Sequence, residues 1–400
     1  MIIESLRIKN FKALQNVVIN NLPQLSVFVG RNGSGKTSLF KVFAFLKNCL
    51  RNNVRSALNA EGGRMGFREV VTRGHSEEAI EIEIQFRLEI EGKWRLVTYL
   101  LSIREENGRP YVEREILRYK RGRYGAPYHY LDFSSGKGQV VTNEEEFDEP
   151  EKELTRTFQE LDAPDILAIK GLGLFGQQFK AASAFRKLIE NWHVSDFHIS
   201  EARGKKEDEE AYHLSSSGDN LPSVARHLYE NERPIFDRIV EKMRQRVPGV
   251  ERVDVEPTAD GGLMMRYTDG AFTEPFIDRN VSDGTIKMFA YLLLLDDPKP
   301  FPILCVEEPE NQLYPELMYV LAEEFIQYAE RGGQVFVSTH SPEFLNALPL
   351  DTIFWLEKKD GVTCVNRASD YELIRNLNAE GDPPGALWQQ GFFNTQRLEN

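Results

Sequence analysis

The sequence has few cysteines and no long apolar segment, and both shortages limit what kind of protein it can be. Only 3 of its 400 residues are cysteines, and they show neither paired nor metal-ligand spacing. This excludes a disulfide-stapled secreted domain and favours a reducing compartment. The longest apolar run, Met288–Leu295, is far too short to cross a bilayer.

The first residues also lack the pattern of a secretory leader. Glu4 and Arg7 stand where a leader would be apolar. Together with the missing transmembrane segment, this predicts a cytoplasmic protein that does not associate with membranes.

Basic and acidic residues are unevenly distributed along the chain. The net charge is −13, but residues 1–128 contain 22 Lys and Arg against 13 Asp and Glu, a local net charge of +9. An acidic protein is not expected to bind nucleic acid over its whole surface, yet the basic N-terminal third of this chain could bind phosphate groups locally. The other interpretation, which we favour, places these arginines on solvated hairpins.

Alternation of apolar and polar residues predicts antiparallel hairpins over residues 80–120. The pattern is broken at Glu91-Gly92 and at Asn107-Gly108, which are turn sequences. Gly122–Gly138 is rich in Gly, Tyr and Ser and is predicted to be a loop. The acidic run Asn143–Glu153 is interpreted as a solvated segment.

Helical patterning begins near residue 154, and buried strands return after residue 250. We predict helices, a charged loop, and then alternating strands and helices that indicate an α/β arrangement. The predicted helices before residue 250 are Glu151–Leu161, Ala181–Trp192 and Leu221–Val247, with a break at Pro234, and the loop is Glu201–Glu210. The later elements are the strands Val250–Glu256, Leu263–Tyr267, Ile303–Val306, Val335–Ser338 and Ile353–Glu357, and the helices Thr285–Leu295 and Pro315–Glu330.

Residues 30–37 match the phosphate-loop pattern G-x-x-x-x-G-K-[ST] in full. The apolar strand Leu25–Val29 precedes the loop and a predicted helix, Thr37–Leu50, follows it. Glycines let the backbone turn its N–H groups towards phosphate oxygens. Lys36 is then placed to reach the β- and γ-phosphates, and the Thr37 hydroxyl to bind Mg²⁺. The predicted nucleotide-binding residues here are Asn32, Gly33, Ser34, Gly35, Lys36, Thr37 and Ser38.

Two further buried strands end in residues suited to ATP hydrolysis. Ile303–Val306 runs into Glu307 and Glu308, where one carboxylate suits Mg²⁺ and the other suits the attacking water. We assign Glu307 to the metal and Glu308 to the water. The strand Val335–Ser338 delivers His340, whose N–H can stabilise a γ-phosphate.

Ser282, Asp283 and Gly284 precede a predicted helix and allow two interpretations. They are ordinary helix-capping residues. They also form a helix N-terminus able to accept a phosphate.

These motifs, in this order, resemble those of an ABC-type ATPase head of the SMC/RecF/OLD-like group. Leu6–Leu14 is similar to that group's opening I-x-N-F-K segment, and Ser282-Asp283-Gly284 to its signature loop. Glu307–Asn311 resembles a Walker B segment running into a D-loop, and His340 a switch histidine. The resemblance implies a P-loop NTPase fold of the ABC-ATPase head type, with an antiparallel β-hairpin subdomain and a helical insertion.

The resemblance also divides the chain into three segments. It implies an N-terminal ATPase lobe over 1–153, a helical insertion over 154–249, and a C-terminal ATPase lobe over 250–400. ATP and Mg²⁺ are the implied ligands, with Glu308 and His340 as catalytic residues and Thr37 and Glu307 as metal ligands. Ser282, Asp283 and Gly284 would cap the γ-phosphate held by a second subunit, so that ATP drives a homodimer or a higher oligomer.

The sequence departs from the group at several points. Tyr314 stands where members commonly have His, and Gln85, Gln159 and Gln177 are all weak candidates for the Q-loop glutamine. About 40 residues follow Lys359, too few for the Toprim domain of OLD nucleases, and no heptad stretch is long enough for an SMC coiled coil.

Three functions remain open at this point. The first is an ATPase switch in bacterial anti-phage defence or DNA metabolism, which controls a separately encoded effector of the nuclease type. The second is a RecF-like repair ATPase that binds DNA weakly through the basic hairpins of residues 80–123, with Arg114, Arg118, Lys120 and Arg121 as the suggested contacts. The third, the nucleotide-binding subunit of a membrane transporter, is disfavoured by Asn10-Phe11-Lys12 and Asp283.

Overall fold

The computed structural model describes residues 2–90, 92–121, 125–147, 149, 151–204, 206–207, 209–259, 261–272 and 274–395, with only the backbone at 206 and 207. The chain divides into two compact units. Unit 1 comprises Met1–Trp192 and Phe354–Arg367, and unit 2 comprises His193–Ile353 and Ala368–Asn400. Their borders differ from residues 153 and 249, where the motifs divide the chain, and the three-segment division stays a prediction.

The strands in chain order are β1 (Ile2–Phe11), β2 (Leu14–Asn20), β3 (Leu25–Gly30), β4 (Ile80–Ile90), β5 (Lys93–Glu106), β6 (Arg109–Tyr119), β7 (Tyr128–Ser134), β8 (Lys137–Val141), β9 (Arg156–Glu160), β10 (His193–Ser195), β11 (Lys206–Glu207), β12 (Arg252–Pro257), β13 (Gly262–Thr268), β14 (Phe276–Ile277), β15 (Ile303–Glu307), β16 (Gln334–Thr339), β17 (Ile353–Lys359) and β18 (Val362–Arg367).

The helices are α1 (Lys36–Arg51), α2 (Val54–Gly62), α3 (Phe67–Val70), α4 (Ala168–Leu172), α5 (Lys180–Glu190), α6 (Ile199–Ala202), α7 (Leu221–Asn231), α8 (Arg233–Arg246), α9 (Asp283–Leu295), α10 (Glu316–Glu330), α11 (Pro342–Asn346), α12 (Glu372–Ala379) and α13 (Pro384–Gln389). None of the helices in the described residues combines the length and hydropathy that a membrane span requires.

Unit 1 is built on an antiparallel sheet in the order β2-β1-β4-β5-β6-β7-β8-β9. Alternation along β4 buries Ile82, Ile84 and Phe86 and leaves the intervening residues at least partly accessible. Helix α5 packs on this apolar face, where Phe185 stacks on Phe86 at 4.7 Å between ring centroids and contacts Tyr99 at 4.6 Å. In the same unit β3, β17 and β18 are neighbours in that order, and β17 and β18 form an antiparallel hairpin.

Unit 2 contains three parallel strands in the order β10-β15-β16. The residues Ile303–Val306 of β15 and all of β16 are buried, as expected for strands covered on both faces. Antiparallel strands β11, β13 and β12 form a second sheet, with β14 beside β13. Nearly every residue of helix α9 is buried, so this helix forms the centre of the unit's core.

Four local predictions are wrong in whole or in part. Part of the predicted helix Glu151–Leu161 is strand β9, and the predicted loop Gly122–Gly138 contains β7, although residues 122–124 lie outside the described part. The acidic run Asn143–Glu153 is not wholly solvated, because Glu144 is only 3% exposed. The charged loop Glu201–Glu210 includes the end of α6 and strand β11.

Candidate nucleotide site

The phosphate loop of unit 1 has the backbone that its sequence predicts. The loop follows β3, and α1 starts at Lys36, within the last two residues of the motif, so the helix N-terminus faces the loop. Gly33 and Gly35 have φ of 76° and 109°, values that side chains other than glycine rarely adopt. Ser34 donates its N–H to the Arg31 carbonyl at 3.1 Å, which closes the turn.

Two side chains of the loop are suited to an anionic ligand. Lys36 is 6% exposed, and its Nζ donates to the Gly30 carbonyl at 2.8 Å. The Ser34 hydroxyl is buried and has no hydrogen-bond partner in the structure. A buried polar group without a partner is costly, so Ser34 is a donor that a bound phosphate could satisfy. Thr37, on the first turn of α1, exposes its side chain to solvent.

The loop is supported by Thr363 on β18, a residue the motifs do not identify. Its hydroxyl, 1% exposed, donates to the Ser34 carbonyl at 2.9 Å. A Cβ added to Gly35 would lie 2.7 Å from the same hydroxyl oxygen, so glycine is required there for space as well as for φ. Because a peptide is planar and trans, fixing the Ser34 carbonyl also fixes the direction of the Gly35 N–H.

In unit 2, the two glutamates at the end of β15 have different surroundings. Glu307 ends the strand in register with Ser338 of β16. Glu308 has a φ of 44°, and its N–H donates to the Ser338 carbonyl at 2.8 Å. Its carboxylate lies 3.1 Å from His340 Nε2 and accepts from Asn311 Nδ2 at 3.1 Å. The structure therefore brings together Glu308 and His340, both assigned to catalysis.

Glu310 links the Glu308 loop to the end of β16. One carboxylate oxygen accepts the Thr339 hydroxyl at 2.9 Å and the His340 N–H at 2.5 Å. These bonds fix the backbone on which His340 stands. On the other side of the loop, buried Lys287 of α9 donates to the Asn311 carbonyl at 2.7 Å, and burial lowers the pKa of Lys287 to about 8. The sequence motifs include Glu310 without giving it a role and do not include Lys287, because the partners of both are distant in sequence or are backbone atoms.

Ser282, Asp283 and Gly284 form the start of α9. Ser282 is the N-cap, and its hydroxyl accepts the Thr285 N–H at 3.2 Å. Asp283 is paired with Arg203, which also donates to the Val281 carbonyl at 2.8 Å. A Cβ on Gly284 would lie 2.8 Å from the Gln312 carbonyl, so this glycine permits a close backbone approach. Ser282 and Asp283 are exposed, so the cap and the phosphate-accepting interpretations both stay compatible with the structure.

The opening I-x-N-F-K segment forms the end of β1 and, with Lys12, the first residue of the turn into β2. Asn10 is 1% exposed with φ of 61°, and its Nδ2 donates to the carbonyls of His75, Glu78 and Ala79. Phe11 is fully buried. The segment thus ties this turn to residues 75–79. The Q-loop residue stays open, although Gln85 already accepts a hydrogen bond from Ser5 at 3.2 Å.

The basic hairpin residues suggested for DNA contact are largely engaged within unit 1. Arg114 forms two hydrogen bonds with the Asp132 carboxylate, at 2.9 and 2.7 Å. Arg118 pairs with Glu83 at 3.3 Å, and Arg121 donates to the carbonyls of Phe147, Glu149 and Lys152. These contacts favour the interpretation of a structural hairpin surface over that of a DNA surface.

The residues present fit ATP and Mg²⁺. The loop offers N–H groups, the unsatisfied Ser34 hydroxyl and Lys36, all suited to phosphate oxygens. Within the described residues, no group of three His, Cys, Asp or Glu could hold a metal by itself. Mg²⁺ usually keeps several waters and binds through one or two protein ligands plus substrate phosphates, so it needs no such group. Thr37 and Glu307 stay the predicted metal ligands.

The fold resembles that of SMC head domains. One solved structure, "Crystal structure of the SmcHead bound to the C-winged helix domain of ScpA", is 16% identical, with a TM-score of 0.53, over 92% of this chain and 97% of that one. An SMC head domain from Thermotoga maritima is 13% identical (TM-score 0.44; 92% and 99% covered). An Smc head derived from Pyrococcus furiosus with an extended coiled coil, bound to the C-terminal domain of ScpA, is 15% identical (TM-score 0.47; 95% and 99% covered). No curated protein matches the chain.

The fold prediction is confirmed, since the first of these likenesses supports the α/β fold of an ABC-ATPase head within the P-loop NTPase class. A family model described as "AAA domain, putative AbiEii toxin, Type IV TA system" matches residues 25–346, from the strand before the phosphate loop to beyond His340. The chain therefore belongs to this AAA family, whose members are ATPases of the AAA/ABC type.

Proposed function

We propose that this protein is an ATP-binding and ATP-hydrolysing switch that dimerises on ATP and controls a separately encoded effector. The observation that carries the proposal is the Glu308 carboxylate, held between His340 and Asn311 at the end of a buried strand. A carboxylate fixed from two sides, yet half exposed, can orient a water for attack on a phosphate.

Each motif residue takes one role in this proposal. Lys36 and the loop N–H groups hold the phosphates, and Thr37 and Glu307 hold Mg²⁺, which neutralises developing phosphate charge. Glu308 orients the water, and His340 stabilises the γ-phosphate. Glu310 acts on His340 through its backbone and is a positioning residue rather than a catalytic one.

Dimerisation would give the switch its output. We propose that Ser282, Asp283 and Gly284 of one subunit cap the γ-phosphate held by the other. The exposure of Ser282 and Asp283 at the start of α9 supports this role. ATP would then stabilise the closed dimer, and hydrolysis would remove the contact and let it open.

The family description supports the proposed biological role. Its description names an AbiEii toxin and a type IV toxin–antitoxin system, which supports a place in bacterial anti-phage defence. We propose that the dimer acts on a separately encoded effector of the nuclease type. The RecF-like alternative receives less support, because three of the four hairpin residues suggested for DNA contact, all arginines, already have partners in unit 1.

Calorimetric ATP binding and phosphate release together test the proposal. We expect Lys36→Ala to lose most ATP binding, because it removes the side-chain cation that is placed to reach the β- and γ-phosphates. Glu308→Gln should bind ATP near wild-type affinity but hydrolyse it about 100-fold or more slowly. Glu307→Gln is the matched control, and its defect should shrink as Mg²⁺ is raised. Near wild-type ATP binding by Lys36→Ala would refute the phosphate-loop assignment, and a wild-type rate for Glu308→Gln would refute its catalytic role.

A further inference from the structure

Unit 1 contains a polar cleft that no motif covers. Its volume is about 360 Å³, and it lies between α2, the turn that follows α2, and the tip of the β5–β6 hairpin. Arg55, Arg64 and Arg109 line it from these three places. Residues 30–38 do not, so the cleft is separate from the phosphate loop.

The three arginines differ from the paired arginines of the hairpins because they have no partner among the described residues. Across the residues that the structure describes, no side-chain hydrogen bond, ion pair or ring contact involves Arg55, Arg64 or Arg109. All three are exposed. By contrast, Arg68 beside the cleft pairs with Glu105 at 3.4 Å. The arginines of the cleft are thus available to a ligand.

The charge balance of the cleft favours an anion. Glu105 is the acidic residue that lines it, and Arg68 already pairs with this carboxylate. Glu106 stands opposite Arg109 in the hairpin register but forms no ion pair with it in the described structure. Like charges gathered in one cleft repel each other, and an anion bound among them relieves that repulsion.

We propose that this cleft binds a phosphate-bearing ligand through Arg55, Arg64 and Arg109. Guanidinium groups present planar pairs of N–H donors that match phosphate oxygens, and several arginines converging on one point are typical of phosphate recognition. The amides of Asn59 and Asn107 add polar groups at the wall. The group that the cleft recognises is phosphate, which belongs either to a nucleic-acid backbone or to a free phosphate ion.

Binding measurements with two probes distinguish the sources. Both use the full chain carrying Lys36→Ala, without nucleotide, so that the phosphate loop does not contribute. A fluorescent 20-base-pair duplex is titrated between about 50 and 200 mM salt, and inorganic pyrophosphate is titrated by calorimetry. The test variant carries Arg55→Gln, Arg64→Gln and Arg109→Gln. We expect it to bind its ligand about 10-fold or more weakly, and the salt slope for duplex to fall by about one for each phosphate that an arginine no longer neutralises.

A control variant removes the same charge elsewhere. It carries Arg226→Gln, Arg233→Gln and Arg252→Gln, three arginines, one partly exposed and two exposed, that are paired with acids in unit 2. It should bind like the parent, and the melting temperature of the test variant should stay close to that of the parent, since its three arginines have no partners to lose. If the test variant loses duplex binding and the control variant keeps it, the result supports a nucleic-acid source. If the test variant loses pyrophosphate binding but not duplex binding, the result supports a free anion. Equal binding by parent and test variant, or no saturable binding of either probe, overturns the proposal. None of these outcomes depends on ATP hydrolysis.

Discussion

Glu115 is the most unusual carboxyl group of unit 1. It is fully buried, and it accepts the Tyr99 hydroxyl at 3.1 Å and the N–H of Ile169 at 3.1 Å, together with the N–H of Ala168. These bonds cap the start of α4. Burial disfavours the charged form of Glu115 more than these hydrogen bonds favour it, so burial raises the pKa of Glu115 to about 7.

This pKa predicts a pH-dependent stability. Between the ordinary value of 4.5 and about 7, the folded state keeps a proton that the unfolded state has lost. Stability should therefore fall as pH rises through this window, by on the order of 3 kcal/mol. Glu115→Gln cannot titrate, so its stability relative to wild type should improve with rising pH. Urea denaturation of both proteins at about pH 5 and pH 8 measures the effect, and parallel pH profiles would contradict it.

Individual residues were predictable where a motif fixes their chemistry. Lys36 and Glu308 stand where the motifs predict, at a helix start and a strand end. Glu144 was not predictable from its acidic surroundings in sequence. Its carboxylate accepts the Ala181 N–H at 2.8 Å and the Tyr130 hydroxyl at 3.0 Å, so remote partners make its burial possible.

At the scale of elements, the β17–β18 hairpin supports the phosphate loop. Phe354 of β17 stacks on Phe28 of β3, with 5.4 Å between ring centroids, and the Leu356 carbonyl lies 2.6 Å from a Cβ added to Gly30. Thr363 of β18 then binds the Ser34 carbonyl. The hairpin thus holds the backbone of the loop in place, although Thr363 and Ser34 are more than 300 residues apart in the sequence.

We predict that Thr363→Val weakens ATP binding while leaving the fold intact. Valine keeps the shape but removes the hydroxyl that orients the Ser34 carbonyl, a hydrogen bond of about 1 kcal/mol, so the ATP dissociation constant should rise about fivefold. Thr363→Ser should retain most of the affinity.

Thr352 provides a matched control, because its hydroxyl donates to the Pro349 carbonyl at 2.7 Å in unit 2. Thr352→Val should bind ATP like wild type. Calorimetric affinities with a melting curve for each variant decide the matter. If Thr363→Val binds like wild type, or if Thr363→Ser is equally defective, the hydroxyl does not position the loop.

Elements with strong periodicity were predictable, and those set by remote pairing were not. Strands β4, β5 and β6 pair as the predicted hairpins, with Ile90 opposite Lys93 and Glu106 opposite Arg109, although Glu91 lies outside the described residues. Helices α7 and α8 separate just before Pro234. The sequence predicts β9 to be helical, because this short polar segment has no periodicity that would mark it as a strand. Its pairing with β8 determines its conformation.

At the scale of the whole molecule, we propose that the chain forms a dimer when ATP is bound. A ligand shifts such an equilibrium only if it contacts the two states differently. The proposed differential contact is the γ-phosphate capped by Ser282 of a second subunit. This contact would also give a reason for the exposure of Ser282 and Asp283 at the start of a helix whose other residues are buried.

The mass of the Glu308→Gln variant in solution, measured by light scattering with Mg²⁺ with and without ATP, tests this account most directly. Slow hydrolysis should trap the closed form, so the mass should rise from 46.0 kDa to twice that value with ATP alone. Glu308→Gln combined with Ser282→Arg should bind ATP yet stay at 46.0 kDa, because the added bulk stands where the partner's γ-phosphate must dock. A mass that stays at 46.0 kDa with saturating ATP, or a dimer that Ser282→Arg leaves unchanged, would contradict the account.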